Sequence, residues 1–96
     1  MAVQDPLDGV STFVQVVEAG GFTSAAERIG VTRSAVGKAV ARLETRLGTR
    51  LLQRNTRSQT LTEEGQIYYE RCIRALKELE AAEADLDSGR MEPSGR

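Results

Sequence analysis

The chain has 96 residues, 40% apolar but only 4% aromatic, with no Trp, no His and a single Cys. That composition describes one small domain near the lower limit of a self-sufficient core, with no internal disulfide, no Cys/His metal site and none of the commonest general base, so neither structural metal nor enzymatic chemistry has an evident home. The net charge of −1 argues against a nucleic-acid partner only until its distribution is read: from Arg28 to Arg57 eight basic residues face one acid, Glu44, a stretch of +7, and the other 66 residues sum to −8. Binding to phosphates depends on local charge and counterion release, and this placement suits DNA.

No run approaches the roughly 20 apolar residues that cross a bilayer, and residues 1–6 lack the basic-then-apolar pattern of a signal peptide, so a cytoplasmic protein without a membrane partner is expected. In chain order, Asp5-Pro6 offers an N-cap and a first-turn proline. Leu7, Val10, Phe13, Val14 and Val17 then recur at helical spacing until Gly20-Gly21, which predicts a first helix with one apolar face. After Phe22, Ser24 and Glu27 have capping-box spacing, and Ala25, Ala26 and Ile29 supply a small buried face for a second helix ending at Gly30. Gly30-Val31-Thr32 reads as a tight turn: a left-handed glycine, a valine plugging the core, and a threonine capping the next helix.

The third helix is predicted from about Arg33 to Leu47, with Val36, Val40, Leu43 and Leu47 on one stripe. Arg33, Ser34, Gly37, Lys38, Ala41, Arg42 and Thr45 fall largely on other faces and leave a basic, small-residue surface for a partner. Residues 51–54 and 59–61 read as short strands joined by a polar tip, a β-hairpin wing. Thr62 caps a last helix, with Glu63 and Glu64 favourable at its N-terminus and no breaker before Ser88-Gly89. At about 1.5 Å per residue it would be close to 40 Å long, more than so small a domain can cover. Its apolar residues Tyr69, Cys72, Leu76, Leu79 and Leu86 follow a three-four alternation interrupted at Glu83. With Ile73 they are candidate dimerisation residues, on a stripe that also serves as a core seam for the first helix. Cys72 is read as a small core residue, and Tyr68 and Tyr69 as packing residues.

Three helices, a wing and a long fourth helix in this order, carrying Phe22-Thr23-Ser24-Ala25-Ala26-Glu27-Arg28-Ile29-Gly30-Val31-Thr32, Ala41-Arg42-Leu43-Glu44, Leu47-Gly48-Thr49-Arg50-Leu51-Leu52, and Arg54, Thr56 and Leu61-Thr62-Glu63-Glu64-Gly65, resemble the N-terminal winged helix-turn-helix domain of LysR-type transcriptional regulators. The resemblance implies a mainly α fold, divided into a tail (1–5), the winged helix-turn-helix domain (6–61), a linker or dimerisation helix (62–88) and a hinge (89–96) before an effector-binding domain expected to lie outside this chain. It further implies sequence-specific binding to double-stranded DNA by homodimers on an interrupted inverted repeat, full-length proteins that are commonly tetrameric, no cofactor, and an effector pocket outside this part.

On that mapping Thr32, Arg33, Ser34, Gly37 and Lys38 read bases in the major groove. Thr23 and Ser24 grip phosphate at a helix N-terminus, and Arg42, Arg50, Arg54 and Arg57 position the protein on the backbone or minor groove. The chain departs from the family at Arg33, Ser34 and Gly37, where Gln, Pro and Ser are frequent, so no base-by-base code carries over. Gly37 is either a close approach to DNA or relaxation at an exposed site. The rival reading is a winged-helix interaction and dimerisation module without DNA binding, which would have no need of a basic recognition face.

Overall fold

The structure is a computed structural model that describes residues 7–53 and 60–91. Asp5-Pro6, Arg54, Arg57 and the expected wing tip lie outside the described residues. The order of elements is α1 (Val10–Ala19), α2 (Phe22–Ile29), α3 (Arg33–Leu47), β1 (Leu52–Gln53), β2 (Thr60–Leu61) and α4 (Glu63–Met91). This is the expected mainly α winged helix-turn-helix. The hairpin is antiparallel, Leu52 opposite Leu61 and Gln53 opposite Thr60.

Local chemistry sets the helix boundaries, in places not where the sequence pattern put them. The first helix begins at Val10, because residues 7–9 form a turn and its N-cap Gly9 is left-handed at φ 82°. A side chain there would be strained and would also press on the Ala39 carbonyl oxygen at 3.1 Å. Leu7, expected on the apolar face, is consequently exposed, while Val16 is buried. The Ser24/Glu27 capping box does not form: α2 starts three residues earlier, at Phe22 with Gly21 as its N-cap, so Ser24 is already inside the first turn. Gly30 does close α2 in the left-handed region at φ 84°, and the amides of Gly30 and Val31 both donate to the Ala26 carbonyl, at 2.8 and 3.1 Å. That turn leaves Val31 46% and Ile29 41% exposed, so neither plugs the core as expected. The caps on α3 and α4 are as read: Thr32 Oγ1 accepts from the Ala35 amide at 3.0 Å and Thr62 Oγ1 from the Gly65 amide at 2.9 Å.

Phe13, Val16, Val36, Val40, Leu43, Leu51 and Leu52 form the fully buried centre. Helices α1 and α3 and the base of the wing thus share one core, against which Ala25 and Ala26 let α2 pack closely. The wing is tied down by polar contacts at its base. Glu44 Oε2 accepts from the amides of Leu51 and Leu52 at 2.8 and 3.1 Å, and the Thr62 amide donates to the Leu51 carbonyl at 3.0 Å.

Helix α4 reaches the core only through its first half. Phe13 meets the rings of Tyr68 and Tyr69 at 5.9 and 6.4 Å, Cys72 is buried, and Ile73 and Leu76 pack at the edge. From residue 77 to 88 every side chain is exposed. The helix continues to Met91, past the expected stop at Ser88-Gly89, since one interior glycine costs only about 1 kcal/mol. Its 29 residues span about 43 Å at 1.5 Å each and give the molecule its 56 Å long axis.

Burial pushes the Cys72 thiol above its ordinary range, opposed in part by a hydrogen bond from Tyr68, and burial likewise raises the Tyr68 and Tyr69 phenols. Because the folded state holds these protons more tightly than the unfolded one, their contribution to stability is complete below the ordinary thiol range near about pH 8.5 and is lost as pH rises through the raised values. Urea titrations should show this as constant stability from these groups at neutral pH and a decline in alkaline buffer. Cys72 should resist alkylation at neutral pH until the chain unfolds.

Candidate nucleic-acid interface

Opposite the buried stripe of α3, Ser34, Lys38, Ala41, Arg42 and Thr45 are exposed on one face. Successive residues are turned by about 100° along a helix, so these five fall within one sector, with Arg33 and Gly37 on the flank toward α2. Ala41 and Thr45 form a low ridge between two shallow concavities. One of about 550 Å³ is bordered by Asp8, Lys38, Arg42 and Arg46, and the other of about 390 Å³ by Glu44, Gly48, Thr49 and Arg50. A narrow helical ridge with cationic groups on both sides has the shape and charge to enter a groove between two phosphate strands.

Not every base of the +7 stretch serves this face. Arg46 Nη2 donates to the Asp8 carbonyl at 2.9 Å, and Arg28 Nη1 to Gln15 Oε1 at 3.3 Å, so both tie helices to neighbouring segments. Arg42 remains 61% exposed, with its Nε 3.8 Å from the Asp8 carboxylate. An ion pair so wet contributes ~0–1 kcal/mol and yields readily to a phosphate. The stretch's one acid, Glu44, is committed to two wing amides and serves as a structural clamp.

The structure therefore brings Thr23, Ser24, Thr32, Arg33, Ser34, Lys38 and Arg42 to the surface of the helix-turn-helix, with Gly37 half-buried between them and Arg50 exposed at the root of the wing. Arg54 and Arg57 fall outside the described residues. Thr32 already accepts the Ala35 amide and keeps its hydroxyl proton as the donor for a partner. Of the dimerisation candidates, Cys72 is turned into the domain's own core, and Tyr69, Ile73 and Leu76 pack against it, Tyr69 also donating to Glu18 Oε2 at 3.3 Å. Leu79 and Leu86 alone of that set are exposed, at 44% and 63%. Sequence reading missed Asp8 and the clamp by Glu44, although a lone acid in a basic run was a signal for the latter. It also passed over Phe22, whose ring underlies the Arg33 guanidinium at 5.7 Å from its centroid.

A helix-turn-helix with a wing and an exposed cationic second helix is a domain built for DNA. The family profile described as "Bacterial regulatory helix-turn-helix protein, lysR family" matches residues 7–66. The chain belongs to that family, and it is a LysR-type DNA-binding domain of the transcriptional-regulator kind, a class of regulators and not enzymes. It is 42% identical over 92 residues, 96% of its length, to an HTH-type transcriptional repressor of Pseudomonas aeruginosa strain UCBPP-PA14, covering 29% of that protein. It is 49% identical over 77 residues, 80% of its length, to the regulator CrgA of Neisseria meningitidis serogroup C, covering 26% of it. The chain thus spans under a third of these curated relatives.

Among solved structures, BenM_DBD in its complex with catB site 1 DNA superimposes with a TM-score of 0.84 at 28% identity, over 90% of this chain and 96% of that one. The structure of CrgA from Neisseria meningitidis does so at 0.76 and 42% identity, over 94% of this chain and 30% of that one. No helix among the described residues is long and apolar enough to cross a membrane.

Proposed function

We propose that the chain binds double-stranded DNA sequence-specifically as a homodimer on an interrupted inverted repeat, regulating transcription in the cytoplasm. In this reading α3 lies in the major groove with Thr32, Arg33, Ser34, Gly37 and Lys38 toward the base edges. Thr23 and Ser24 hold phosphate, and Arg42, Arg50 and the wing with Arg54 and Arg57 lie on the backbone or adjacent minor groove. The observation that carries the reading is the exposed cationic ridge of α3, whose flanking acids are already spent, Glu44 on the wing and Asp8 at an Arg42 that stays mostly exposed. The crystallised complex of BenM_DBD with catB site 1 DNA supports the same use of a similar domain.

Specific and scrambled duplexes separate the roles. A bidentate Arg contact to guanine is worth about 1–3 kcal/mol, so Arg33→Ala should reduce discrimination by roughly 5- to 150-fold, with Lys38→Ala acting in the same sense. Arg50→Ala should weaken both duplexes alike and lower the salt slope by about 1. Equal binding by all three variants and the parent would remove this docking.

We further propose that residues 6–61 read DNA and that 62–88 join two copies. Among the described residues nothing covers α4 from residue 77 to 88, and Leu79, Ala82 and Leu86 follow a three-four spacing that a second helix would bury. The double variant Leu79→Asp/Leu86→Asp should keep the parent's helical content, since both sites are exposed, and sediment as a monomer where the parent sediments as a dimer. A parent that is monomeric at high micromolar concentration would contradict the proposal.

A further inference from the structure

The Arg33 guanidinium is held over the ring of Phe22, with its central carbon 5.7 Å from the ring centroid. That lies within the roughly 6 Å at which a cation is attracted to an aromatic face. Phe22 is itself anchored: it opens α2, is half-buried and packs against the core. Arg33 opens α3, so the contact fastens the N-terminal ends of the two helices of the helix-turn-helix through the side chain nearest the expected base edges. Around α3, Arg33 stands about 140° from Lys38, on the flank of the exposed sector. An unheld arginine there could swing to solvent, away from the groove.

One turn further along, a Cβ on Gly37 would meet Phe22 Cε2 at 4.0 Å, so the glycine leaves the neighbouring ring edge open. A guanidinium resting on an aromatic face keeps its N–H groups available for a bidentate acceptor while losing rotamer freedom before the partner arrives.

We infer that Phe22 is a specificity-determining positioning residue: it pre-orients Arg33 for base recognition without touching DNA itself. The inference rests on the DNA-reading function proposed above. It differs from a purely structural role for Phe22, which would weaken all duplexes together.

The test compares the parent, Phe22→Leu, Phe22→Tyr, Arg33→Ala and the double variant Phe22→Leu/Arg33→Ala. Each is titrated with the duplex the parent selects from a random pool, with single-base variants of it and with a scrambled duplex, after circular dichroism has established folding. Loss of a stacked cation at an exposed site corresponds to a two- to five-fold change, so Phe22→Leu should lose about that factor of discrimination, at the same base position as Arg33→Ala. The double variant should be no worse than Arg33→Ala, and Phe22→Tyr, which restores an aromatic face, should discriminate like the parent. In the free protein the Arg33 side-chain protons should show a ring-current shift that disappears in Phe22→Leu, a readout independent of DNA.

Undiminished discrimination in Phe22→Leu, equal weakening on specific and scrambled duplexes, or absence of the ring-current shift overturns the inference and leaves the DNA-binding reading standing. A folded parent that prefers no duplex overturns both. Should Phe22→Leu fail to fold, the Phe22→Tyr titration and the parent's ring-current shift decide the matter, since loss of discrimination in the tyrosine variant or a missing shift is incompatible with positioning by the ring.

Discussion

Phe13→Ala should cost about 3–5 kcal/mol of folding stability, a large share of the ~5–14 kcal/mol expected of a domain this size at 0.05–0.15 kcal/mol per residue. Phe13 is fully buried, and its ring supports Tyr68 and Tyr69 at 5.9 and 6.4 Å. Removing it empties the centre of the core and takes away the surface on which α4 sits. The neighbouring Tyr68 and Tyr69 are fixed on α4 and the buried leucines are packed in the same core, so the space refills only in part. The loss should be visible in urea denaturation as a lower midpoint, accompanied by weaker protection of the amides around Tyr68 and Tyr69 from hydrogen exchange. A variant within 1 kcal/mol of the parent would mean that α1 does not form the centre of the core.

Gly65→Ala is the second large effect, and its direction is set by competition. In a helix alanine is favoured over glycine by about 1 kcal/mol. Here the added Cβ would overlap the Leu51 carbonyl oxygen, lie 2.9 Å from the carbonyl carbon and 3.1 Å from Leu61 Cδ2. The obstacle is chiefly backbone, in the segment where the Thr62 amide donates to the same carbonyl at 3.0 Å and Glu44 holds the Leu51 amide at 2.8 Å. A flexible side chain could move aside, but this segment is tied on both sides. The clash should therefore win, with a net loss of about 1–3 kcal/mol, or roughly 4–8 °C in Tm per kcal/mol for a domain of this size. Because the clash falls where the wing joins α4, DNA affinity should fall as well. A variant more stable than the parent would mean that α4 stands further from the wing.

The long elements were legible because their signals were redundant. The third helix carried a four-residue apolar stripe, a threonine cap and a terminal glycine, and its observed bounds, Arg33–Leu47, coincide with those expected. The starts of α1 and α2 were misread for a common reason: proline and Ser/Glu spacings are local signals, whereas the starts are set by Gly9 and Gly21, which have no side-chain cap bond. Gly9 in particular is required by its approach to Ala39, a contact between segments some thirty residues apart that no local pattern reveals. Val31 and Ile29 were expected inside because they are apolar, but the left-handed Gly30 turns the chain outward.

The same limit applies to the interface. Charge and helical phase indicated which face of α3 is cationic. They could not say which bases were already spent on structure, because Arg28 with Gln15, Arg46 with the Asp8 carbonyl and Arg42 with the Asp8 carboxylate are pairings between distant segments. Nor could they reveal that Arg33 rests on Phe22, eleven positions earlier across the turn. Burial divided the α4 stripe in a way that spacing alone could not, turning Cys72 inward and leaving Leu79 and Leu86 exposed.

Whether this domain reads DNA sequence as a dimer through α3 is decided by selecting bound duplexes from a random pool with the purified chain at physiological salt. The expected outcome is enrichment of an interrupted inverted repeat, with enrichment reduced in Arg33→Ala. A pool that stays random, together with no binding at low salt, where phosphate contacts are strongest, would contradict it.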